Sequence, residues 1–427
     1  MEIIPKRICL YALAAFALLG SLQEVRSQSL MWSSRSKQGF SARESFSTAQ
    51  VEGKIYVIAG GSTSGFQNDV LVYDPSTDVW LTQQTLGYFP RHYAHASVAV
   101  NGKIYVFGGV PDPVTFDDSV YIFDPLANSW TTVDPGEGRM ITERAFLTVC
   151  AINDLIYVLG GGPSAWDYSN QMDIFDTKTN RWLASPTPED SLHPIQTPVA
   201  CEIGGKIYLT GLQFDSLATA YCEMQVYDPK LNTWSTQQGS RMHVARKHFS
   251  AVTVGGKIYA IGGGNENVGG GGFPQGVPTE VYDPSIGRWD TVHAEGKFTP
   301  RLSLSSIAVG SIIYALGGWD NGYIDLNEVL SPTAHKVDYA SNKLDYFNRI
   351  YPNPAANTLN IVSVESPTGY KIIDLLGREV RTGKTVDHGT LTVDVSSLPR
   401  GVYYVLTESS GLQGTYVRAG KVILRDP

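Results

Sequence analysis

The fold is decided by the stretch NGKIYVFGG at residues 101–109, which is followed by VYIFDP at residues 120–125 and then by Trp130. The apolar run ASVAV at residues 96–100 precedes it. Asn-Gly and Gly-Gly between apolar runs favour tight hairpin turns, because the central residues of such turns need positive φ. Asp-Pro marks a further turn, since proline presets φ and aspartate bonds nearby backbone. The unit therefore predicts four short strands, a to d, with the tryptophan on strand d.

The same unit recurs along most of the chain. Its tryptophans follow one another at intervals of 48 to 55 residues, and they are Trp32, Trp80, Trp130, Trp182, Trp234 and Trp289. The glycine pairs after strand b are Gly60-Gly61, Gly108-Gly109, Gly160-Gly161, Gly262-Gly263 and Gly317-Gly318, and the fourth unit has Thr210-Gly211 instead. A fixed period of this length, with four strands in each unit, predicts the blades of a β-propeller.

The sixth unit lacks a strand d, because neither Asp-Pro nor tryptophan follows Glu328–Ser331. Trp32, by contrast, has no strands a to c ahead of it. We therefore expect residues near 29–34 to complete the sixth blade and to cover an exposed sheet edge. The paired glycines, the aromatic-Asp turn and the tryptophan resemble the kelch family over roughly residues 30–332. That resemblance implies an all-β, six-bladed kelch propeller closed by an N-terminal strand.

The remaining segments predict the organisation of the chain. Residues 1–27 carry Lys6 and Arg7, an apolar stretch at 8–20 and a small-residue end at 25–27, which predicts a secretory signal peptide. That stretch is too short for an ordinary membrane span, so no transmembrane segment is expected after its removal. We expect the propeller at 28–332 and a polar linker at 333–348.

The C-terminal segment, residues 349–427, alternates short apolar runs with turn signals, which predicts a small β-sandwich. Its motifs YPNP (351–354), DLLGR (374–378) and LPRGVYY (398–404) resemble the C-terminal sorting domain of type IX secretion in Bacteroidetes. The resemblance implies that the type IX machinery carries the protein across the outer membrane, to a secreted or outer cell-surface location. The alternative is an ordinary accessory sandwich.

The charge of the chain excludes one class of partner. The formal net charge is −8 and there is no long basic run, so nucleic acid is not an expected partner.

Three cysteines follow the expected signal peptide: Cys150, Cys201 and Cys222. Cys150 and Cys201 fall on strand a, where cysteine acts as a small apolar residue. We expect buried free thiols; the alternative is a Cys201–Cys222 disulfide.

A binding site is expected on one face of the propeller. The d-to-a and b-to-c connections share a face, called here the loop face, and these loops are long and variable. The other face, called the turn face, carries tight turns and is expected to have little room for a site. The longest b-to-c loop contains the glycine-rich residues 264–275, which suit either a mobile lid or a plain flexible insertion.

Arginines near the start of strand a are the first candidate ligand contacts. They are Arg43, Arg91, Arg144, Arg246 and Arg301, and the fourth blade has no equivalent near Gln196-Thr197. Guanidinium groups at a channel entrance suit a carboxylate or sulfate ligand. The alternative is that they brace neighbouring blades, which we expect for most of them. The candidates kept for ligand binding are Arg91, Arg144, Arg246 and Arg301, with His248 at the same entrance.

Two tryptophans outside the ladder are the second set of candidates. Trp166 and Trp319 fall in b-to-c loops beside Asp167-Tyr168 and Asp320-Asn321. An exposed aromatic ring next to polar groups suits stacking on a sugar or anchoring of a protein partner. The alternative is that both rings pack beneath their loops.

No enzymatic constellation stands out. Metal-ligand spacings and a Gly-x-Ser-x-Gly motif do not occur, so no catalytic residue, metal or cofactor is predicted. The kelch-like copper oxidases need a cysteine in a suitable loop, which this chain does not supply. The resemblance allows an alternative, a sialic-acid mutarotase (N-acetylneuraminate epimerase), in which Glu44 and Glu143 beside the arginines would be the acid and base. The leading hypothesis is an exported propeller that binds a protein or glycan; a purely structural surface component is the third.

Overall fold

The computed structural model describes residues 29–133, 140, 142–162, 170–183, 192–214, 219–265, 277–332, 349–351, 355–362, 369–373, 379–384, 390–411 and 414–424. The expected signal peptide, the expected linker, Trp166 and most of the glycine-rich loop lie outside these residues. Contacts divide the chain into two units, Met1–His335 and Lys336–Pro427. Across the described ranges, no helix has the length and apolar character needed to cross a membrane.

The first unit is a six-bladed propeller of four-stranded antiparallel sheets. Strand β1 is Leu30–Ser34. Blade 1 contains β2 (Ser47–Val51), β3 (Lys54–Ser62), β4 (Gly65–Asp74) and β5 (Val79–Gln83). Blade 2 contains β6 (Ala96–Val100), β7 (Lys103–Phe107), β8 (Val120–Asp124) and β9 (Ser129–Thr132). Blade 3 contains β10 (Thr148–Ile152), β11 (Leu155–Leu159), β12 (Met172–Asp176) and β13 (Arg181–Leu183).

The other three blades have the same four-stranded sheet and additional two-residue strands. Blade 4 contains β14 (Gln196–Ile203), β15 (Lys206–Phe214), β16 (Ala220–Tyr221), β17 (Gln225–Asp228) and β18 (Thr233–Thr236). Blade 5 contains β20 (Ser250–Val254), β21 (Lys257–Ile261), β23 (Glu280–Asp283) and β24 (Arg288–Thr291), with β19 (Arg246–Lys247) paired to β22 (Gly264–Asn265). Blade 6 contains β26 (Ser305–Val309), β27 (Ile312–Leu316) and β28 (Asn327–Pro332), and β25 (Ala294–Glu295) runs parallel to β1.

The N-terminal strand closes the ring, as predicted. Strand β1 pairs antiparallel with β28, which places Trp32 opposite Leu330. In the other blades the ladder tryptophan lies opposite an aromatic residue of strand c, as Trp80 lies opposite Tyr73. Trp32 is 7% exposed, so the terminal strand is part of the core.

The repeated Lys-Ile-Tyr motif has a role in packing and a role in turn formation. The tyrosine of strand b packs on the strand c aromatic of the next blade, for example Tyr105 on Phe175 with ring centroids 6.1 Å apart. The lysine pairs with the aspartate that ends strand c, as Lys257 does with Asp283 at 2.8 Å. That aspartate also accepts a hydrogen bond from the backbone N–H two residues later, which forms the Asp-Pro turn. One motif therefore sets both the interface between blades and the hairpin.

The glycines after strand b lie where other parts of the fold approach the backbone closely. The two left-handed residues of blade 1 are Ala59 and Gly60, not Gly60-Gly61, because the ladder of β3 and β4 shifts register between Ile58 and Gly60. In blade 5 they are Gly262 and Gly263. A Cβ atom on Gly263 would lie 2.7 Å from the Phe249 Cβ. The position therefore needs glycine for both its φ and its space.

We expect Gly263→Ala to destabilise the propeller far more than Gly256→Ala. Both glycines have positive φ, 91° and 73°, but a Cβ on Gly256 would have no neighbour within 4 Å. Backbone strain alone costs about 1–2 kcal/mol, and crowding adds about 1–3 kcal/mol more at Gly263. Urea unfolding followed by circular dichroism measures the free energy of unfolding of both variants. Equal losses would show that the close approach at Gly263 is absent.

The second unit contains two sheets. Its strands are β29 (Arg349–Tyr351), β30 (Thr358–Val362), β31 (Gly369–Ile373), β32 (Glu379–Lys384), β33 (Thr390–Asp394), β34 (Gly401–Gly411) and β35 (Gly414–Leu424). One sheet has the order β29-β30-β33 and the other β32-β31-β34-β35. Leu359 and Val393 of the first sheet share a buried cluster with Ile372 and Val405 of the second.

All three cysteines of the propeller are buried thiols that form no disulfide among the described residues, as expected. Cys150 and Cys201 occupy the strand a positions of blades 3 and 4. Burial raises the pKa of the Cys201 thiol to about 12. The Cys222 Sγ lies 3.3 Å from the Arg246 carbonyl oxygen, so this thiol fixes the backbone of a repeat arginine. These thiols are structural, because a reactive cysteine needs exposure and a lowered pKa.

Candidate functional site

Six residues with left-handed backbone surround the propeller axis, one from each blade. This axial ring consists of Ser45, Ala94, Phe146, Thr197, His248 and Ser303, with φ between 45° and 56°. Backbone hydrogen bonds join its members: Ala94 N–H donates to the Ser45 carbonyl at 2.9 Å and Phe146 N–H to the Ala94 carbonyl at 2.9 Å. The ring residues and the residues that follow them line a cavity of about 120 Å³. Such backbone geometry is costly for residues other than glycine, so its recurrence in all six blades marks a constrained position.

The repeat arginines lie two residues before the axial ring, and they are fully buried. Those of blades 1, 3, 5 and 6 are Arg43, Arg144, Arg246 and Arg301. Each forms an ion pair with a carboxylate within its own blade, and the partners are Asp69, Asp173, Glu280 and Glu328. Each guanidinium also donates to a carbonyl oxygen at the end of strand b. The ligand candidates Arg144, Arg246 and Arg301 are thus engaged inside the blades.

The same arginines also join neighbouring blades through their backbone. The Gly109 N–H of blade 2 donates to the Arg144 carbonyl at 3.0 Å, and the Gly263 N–H donates to the Arg301 carbonyl at 3.0 Å. Each of these arginines therefore holds its own blade through its side chain and the preceding blade through its carbonyl oxygen. Arginine recurs at this position because it braces neighbouring blades.

Blade 2 has histidine in place of the repeat arginine. His92, not Arg91, lies two residues before the axial ring, and its carbonyl accepts the equivalent hydrogen bond from Gly60 N–H at 2.9 Å. The His92 Nε2 atom is 3.1 Å from Asp117 Oδ2. Although burial favours a higher value, the contact with His92 and the hydrogen bond from the Ser119 N–H hold the pKa of Asp117 below its ordinary range. Arg91 is one residue out of register, and its side chain is exposed.

Blade 4 has a neutral pair at the equivalent positions. Ile195 lies two residues before the ring residue Thr197, and Gln225 occupies the place of Glu280. The Gln225 Oε1 atom accepts a hydrogen bond from the His193 N–H at 2.8 Å. The absence of an arginine in this blade agrees with the sequence pattern.

Residues from four blades form an aromatic entrance above the ring, and the sequence pattern did not predict this group. Tyr93 stacks on Phe66 with ring centroids 5.1 Å apart and an interplanar angle of 8°. It also meets Phe146 edge-on at 6.1 Å. Tyr323 lies beside Tyr93, because a Cβ atom on Gly61 would contact both rings. The signal available in sequence is position: Glu44, Tyr93 and Leu302 each directly precede an axial-ring residue.

Trp319 belongs to the same face. Its backbone pairs with Leu302 in both directions, with N···O distances of 2.8 and 2.9 Å. It is half-buried, beside the exposed Asp320 and Asn321. Trp166, the other candidate tryptophan, lies outside the described residues.

His248 is the axial-ring member with a titratable side chain. Burial, with a smaller contribution from the charge of Lys247, lowers its pKa to about 4. The imidazole is therefore neutral at pH 7. Among the described residues no cluster of His, Cys, Asp and Glu side chains is arranged to hold a metal ion.

The pKa of His248 predicts a pH dependence of stability. Because the unfolded chain has a histidine pKa near 6.5, it binds more protons than the folded chain between pH 6.5 and 4. The stabilisation is therefore complete above pH 6.5 and is lost as the pH falls to 4, by about 3 kcal/mol. We expect His248→Asn, which tolerates left-handed backbone, to show a shallower fall in unfolding free energy over this range. Urea unfolding at several pH values tests this, and identical pH profiles would contradict it.

The turn face has more room than the tight turns suggest. A cavity of about 1000 Å³ lies between blades 3 and 4, and it is lined by Asp154, Lys178, Glu202, Gly205 and Lys230 among others. Lys178 and Asp154 pair at 2.7 Å on the blade 3 wall of this cavity. Radially arranged blades diverge outwards, so adjacent short turns leave a gap between them. The lining side chains carry both charges, and they converge on no single ligand chemistry.

Comparison with known proteins agrees with this architecture. The model of the KLHDC2/KLHL20/DRC7 Kelch-repeats domain matches residues 17–161, 47–263 and 94–318, and the Secretion system C-terminal sorting domain matches residues 349–419. Human Kelch-like protein 23 is 28% identical over 260 residues, which are 58% of this chain and 41% of that protein. Alpha-scruin of Limulus polyphemus is 27% identical over 267 residues, 59% of this chain and 27% of its own length.

Kelch domain-containing protein 3 of Rattus norvegicus is 26% identical over 233 residues, which are 52% of this chain and 61% of that protein. The chain therefore matches only part of each of these relatives. The sorting domain marks proteins that the type IX system exports to the cell surface or beyond it. The chain thus belongs to the kelch-repeat family and carries a C-terminal sorting domain.

Proposed function

We propose that this exported kelch propeller binds a protein partner at the aromatic entrance of its loop face. The observation that carries the proposal is the half-buried group formed by Phe66, Tyr93, Phe146, Trp319 and Tyr323. Aromatic residues are enriched at the energetic centres of protein interfaces, because they bury a large rigid surface while offering a polar group. These side chains stand on a scaffold whose arginines already brace it.

Two features of the chain support a protein as the ligand. Kelch relatives are protein-interaction domains. The half-buried rings come from blades 1, 2, 3 and 6, which suits a chain segment lying across the axis more than a single sugar ring. A glycan ligand would instead depend mainly on one stacking residue, such as Trp319 or Trp166. A purely structural component would need none of these rings.

Site-specific photo-cross-linking would test the proposal. A photo-reactive residue placed at Trp319 reports the loop face, and the same residue at Leu231, which is 71% exposed on the turn face, is the matched control. We expect discrete protein adducts from position 319 on intact cells and none in common from position 231. The partner found in this way should bind Trp166→Ala plus Trp319→Ala at least about tenfold more weakly than the unaltered chain. Adducts from position 231 alone would show that the partner does not bind at the loop face. If the chain instead binds a glycan array and Trp166→Ala plus Trp319→Ala abolishes that binding, the ligand is a glycan.

One observation favours a second candidate, sugar mutarotation. Burial raises the pKa of Glu44 above its ordinary value, despite a hydrogen bond from Ser303, as a general acid requires. Against it, the repeat arginines that would hold the substrate carboxylate are paired inside the blades, and Glu143 is exposed. We expect no acceleration of N-acetylneuraminate mutarotation in an NMR time course. An acceleration that Glu44→Gln abolishes would replace protein binding with catalysis.

A further inference from the structure

The outer strands of blades 2 and 6 are covered by the d-to-a connection that enters the blade. In blade 2, Leu86 of the connection lies parallel to strand β9. Its N–H donates to the Asn128 carbonyl at 2.9 Å, and the Trp130 N–H donates to the Leu86 carbonyl at 2.8 Å. In blade 6, β25 pairs parallel with β1 and places Ala294 opposite Leu30. The entering connection therefore acts as an additional parallel strand at the edge of these blades.

A left-handed glycine in each connection shows how closely the connection approaches that edge. A Cβ atom on Gly87 would lie 2.5 Å from the Trp130 carbonyl oxygen, and one on Gly296 would lie 2.3 Å from the Trp32 carbonyl oxygen. Gly239 is the left-handed glycine of the connection that enters blade 5, with a similar φ of 78°. A Cβ atom on Gly239 would have no neighbour within 4 Å. This glycine therefore stays away from the edge of β24, the outer strand of blade 5.

The connection that enters blade 5 remains bonded to blade 4 instead. Its Met242 N–H donates to the Cys222 carbonyl of blade 4 at 2.9 Å. A gap of about 550 Å³ lies between this connection and blade 5, and it is lined by Arg241 of the connection and by Arg288 and Asp290 of β24. The space that the chain itself fills in blade 2 is thus open in blade 5.

The edge of β24 offers the same two backbone groups that hold Leu86 in blade 2. The Val292 N–H donates to the Thr279 carbonyl at 2.9 Å, so by the alternation of a strand the Trp289 N–H points away from β23. Gly287, two residues earlier, corresponds to the residue whose carbonyl binds Leu86. Within the described part of the chain, neither the Trp289 N–H nor the Gly287 carbonyl has a hydrogen-bond partner. Such an edge is a template for pairing with another strand.

Two guanidinium groups determine the charge that suits this gap. Arg288 is exposed and forms no ion pair with any residue that the structure describes. Arg241 has a side chain that is 52% exposed, and it lies 3.9 Å from Glu223. The other charged groups that line the gap have partners within the fold, Lys257 with Asp283 at 2.8 Å and Asp290 with the Thr291 N–H at 2.8 Å. A carboxylate is therefore the side chain that complements the gap.

We propose that an extended, acidic segment of a partner protein adds to the edge of β24 as a parallel strand. One residue of the segment donates its N–H to the Gly287 carbonyl and accepts a hydrogen bond from the Trp289 N–H, as Leu86 does in blade 2. A carboxylate nearby in the segment contacts Arg288. Strand addition of this kind obtains its affinity from backbone hydrogen bonds and its specificity from side chains. The site belongs to the outer edge of blade 5, so it is independent of the aromatic entrance.

Amide exchange of the full chain with tryptophan-selective ¹⁵N labelling tests whether this edge is open. Trp289→Phe and Trp130→Phe assign the two backbone resonances. We expect the Trp289 amide to exchange with solvent at least about tenfold faster than the Trp130 amide, which is bonded to Leu86. Equal protection of the two amides would show that the edge of β24 is closed, and it would overturn the proposal.

Three capped pentapeptides test the chemistry of the ligand. They are Thr-Val-Glu-Val-Glu, its counterpart Thr-Val-Lys-Val-Lys, and the glutamate peptide with every backbone nitrogen methylated. We expect the glutamate peptide to shift the Trp289 amide resonance saturably at millimolar concentration and the lysine peptide to bind at least about fivefold more weakly. The methylated peptide should not bind, because it has no N–H to donate to the Gly287 carbonyl. Absence of a saturable shift, or an equal shift by the methylated peptide, would overturn the proposal.

Matched variants separate this edge from general electrostatics and from the loop face. Arg288→Gln should abolish the preference for glutamate over lysine, whereas Arg181→Gln, the same change directly before the tryptophan of blade 3, should preserve it. A preference that survives Arg288→Gln would reject the acidic ligand. Trp319→Ala should leave peptide binding unchanged, so failure at this edge leaves the loop-face function standing. A Trp289 resonance that shifts with protein concentration alone would identify a second copy of this chain as the occupant and reject a separate partner.

Discussion

Trp32→Ala is expected to lower the free energy of unfolding of the propeller by about 3–5 kcal/mol. The residue lies in the first described strand, where a free terminus would fray and a substitution would cost little. Here its ring is 4.7 Å from that of Phe298 and shares a buried cluster with Ile313 and Leu330. Removing it leaves a cavity in the blade that joins the two ends of the ring.

Met31→Ala is the matched control for this prediction. Met31 belongs to the same strand but is 37% exposed, so its loss should cost less than about 1 kcal/mol. Chemical unfolding followed by circular dichroism compares the two variants without relying on tryptophan fluorescence. If both substitutions cost equally little, strand β1 does not close the sixth blade.

Glu280→Ala should destabilise the chain by a similar amount, about 3–5 kcal/mol, because it leaves a charge buried without a partner. Glu280 is fully buried against Arg246, and it accepts backbone hydrogen bonds from His243 at 2.8 Å and Val244 at 3.3 Å. Asp69→Ala is the control within the same repeat. The Asp69 side chain is 28% exposed, so water can replace it beside Arg43, and we expect a clearly smaller loss.

The chain itself offers a way to restore the stability lost at Glu280. Blade 4 folds with Ile195 and Gln225 at the two positions that Arg246 and Glu280 occupy in blade 5. Arg246→Ile together with Glu280→Gln should therefore recover most of the stability that Glu280→Ala loses. Thermal and urea unfolding give the free energy of unfolding of the unaltered chain, Glu280→Ala, Asp69→Ala and the double variant. A double variant less stable than Glu280→Ala would show that the ion pair has a role beyond neutralising its own buried charge.

The blade count could be predicted from sequence because the tryptophan ladder is local and periodic. Trp32 has no strands before it and the sixth unit has no tryptophan, so one element completes the other. Register within a blade was less predictable. Arg91 resembles the repeat arginine by residue type, but the left-handed residue two positions after His92 fixes the true equivalence. Ala59 replaces a glycine in the same way, because the backbone conformation repeats more faithfully than the residue.

The candidate site could be predicted only in part. The arginines were expected mostly to brace the blades, and the four in blades 1, 3, 5 and 6 are paired within them. The aromatic entrance was not predictable, because Phe66 comes from blade 1, Tyr93 from blade 2, Phe146 from blade 3 and Tyr323 from blade 6. Tyr93 and Tyr323 are 230 positions apart and lie beside each other only because the ring closes, and no pattern along the chain records that proximity.

The most direct test of loop-face recognition is the dissociation constant of the partner that cross-links from Trp319, measured by calorimetry against three forms of the full chain. For Trp166→Ala plus Trp319→Ala we predict a constant at least about tenfold higher than for the unaltered chain, and for Leu231→Ala on the turn face a change of less than about twofold. Unchanged binding by the tryptophan variant, or weakening by Leu231→Ala alone, would contradict recognition through the loop face.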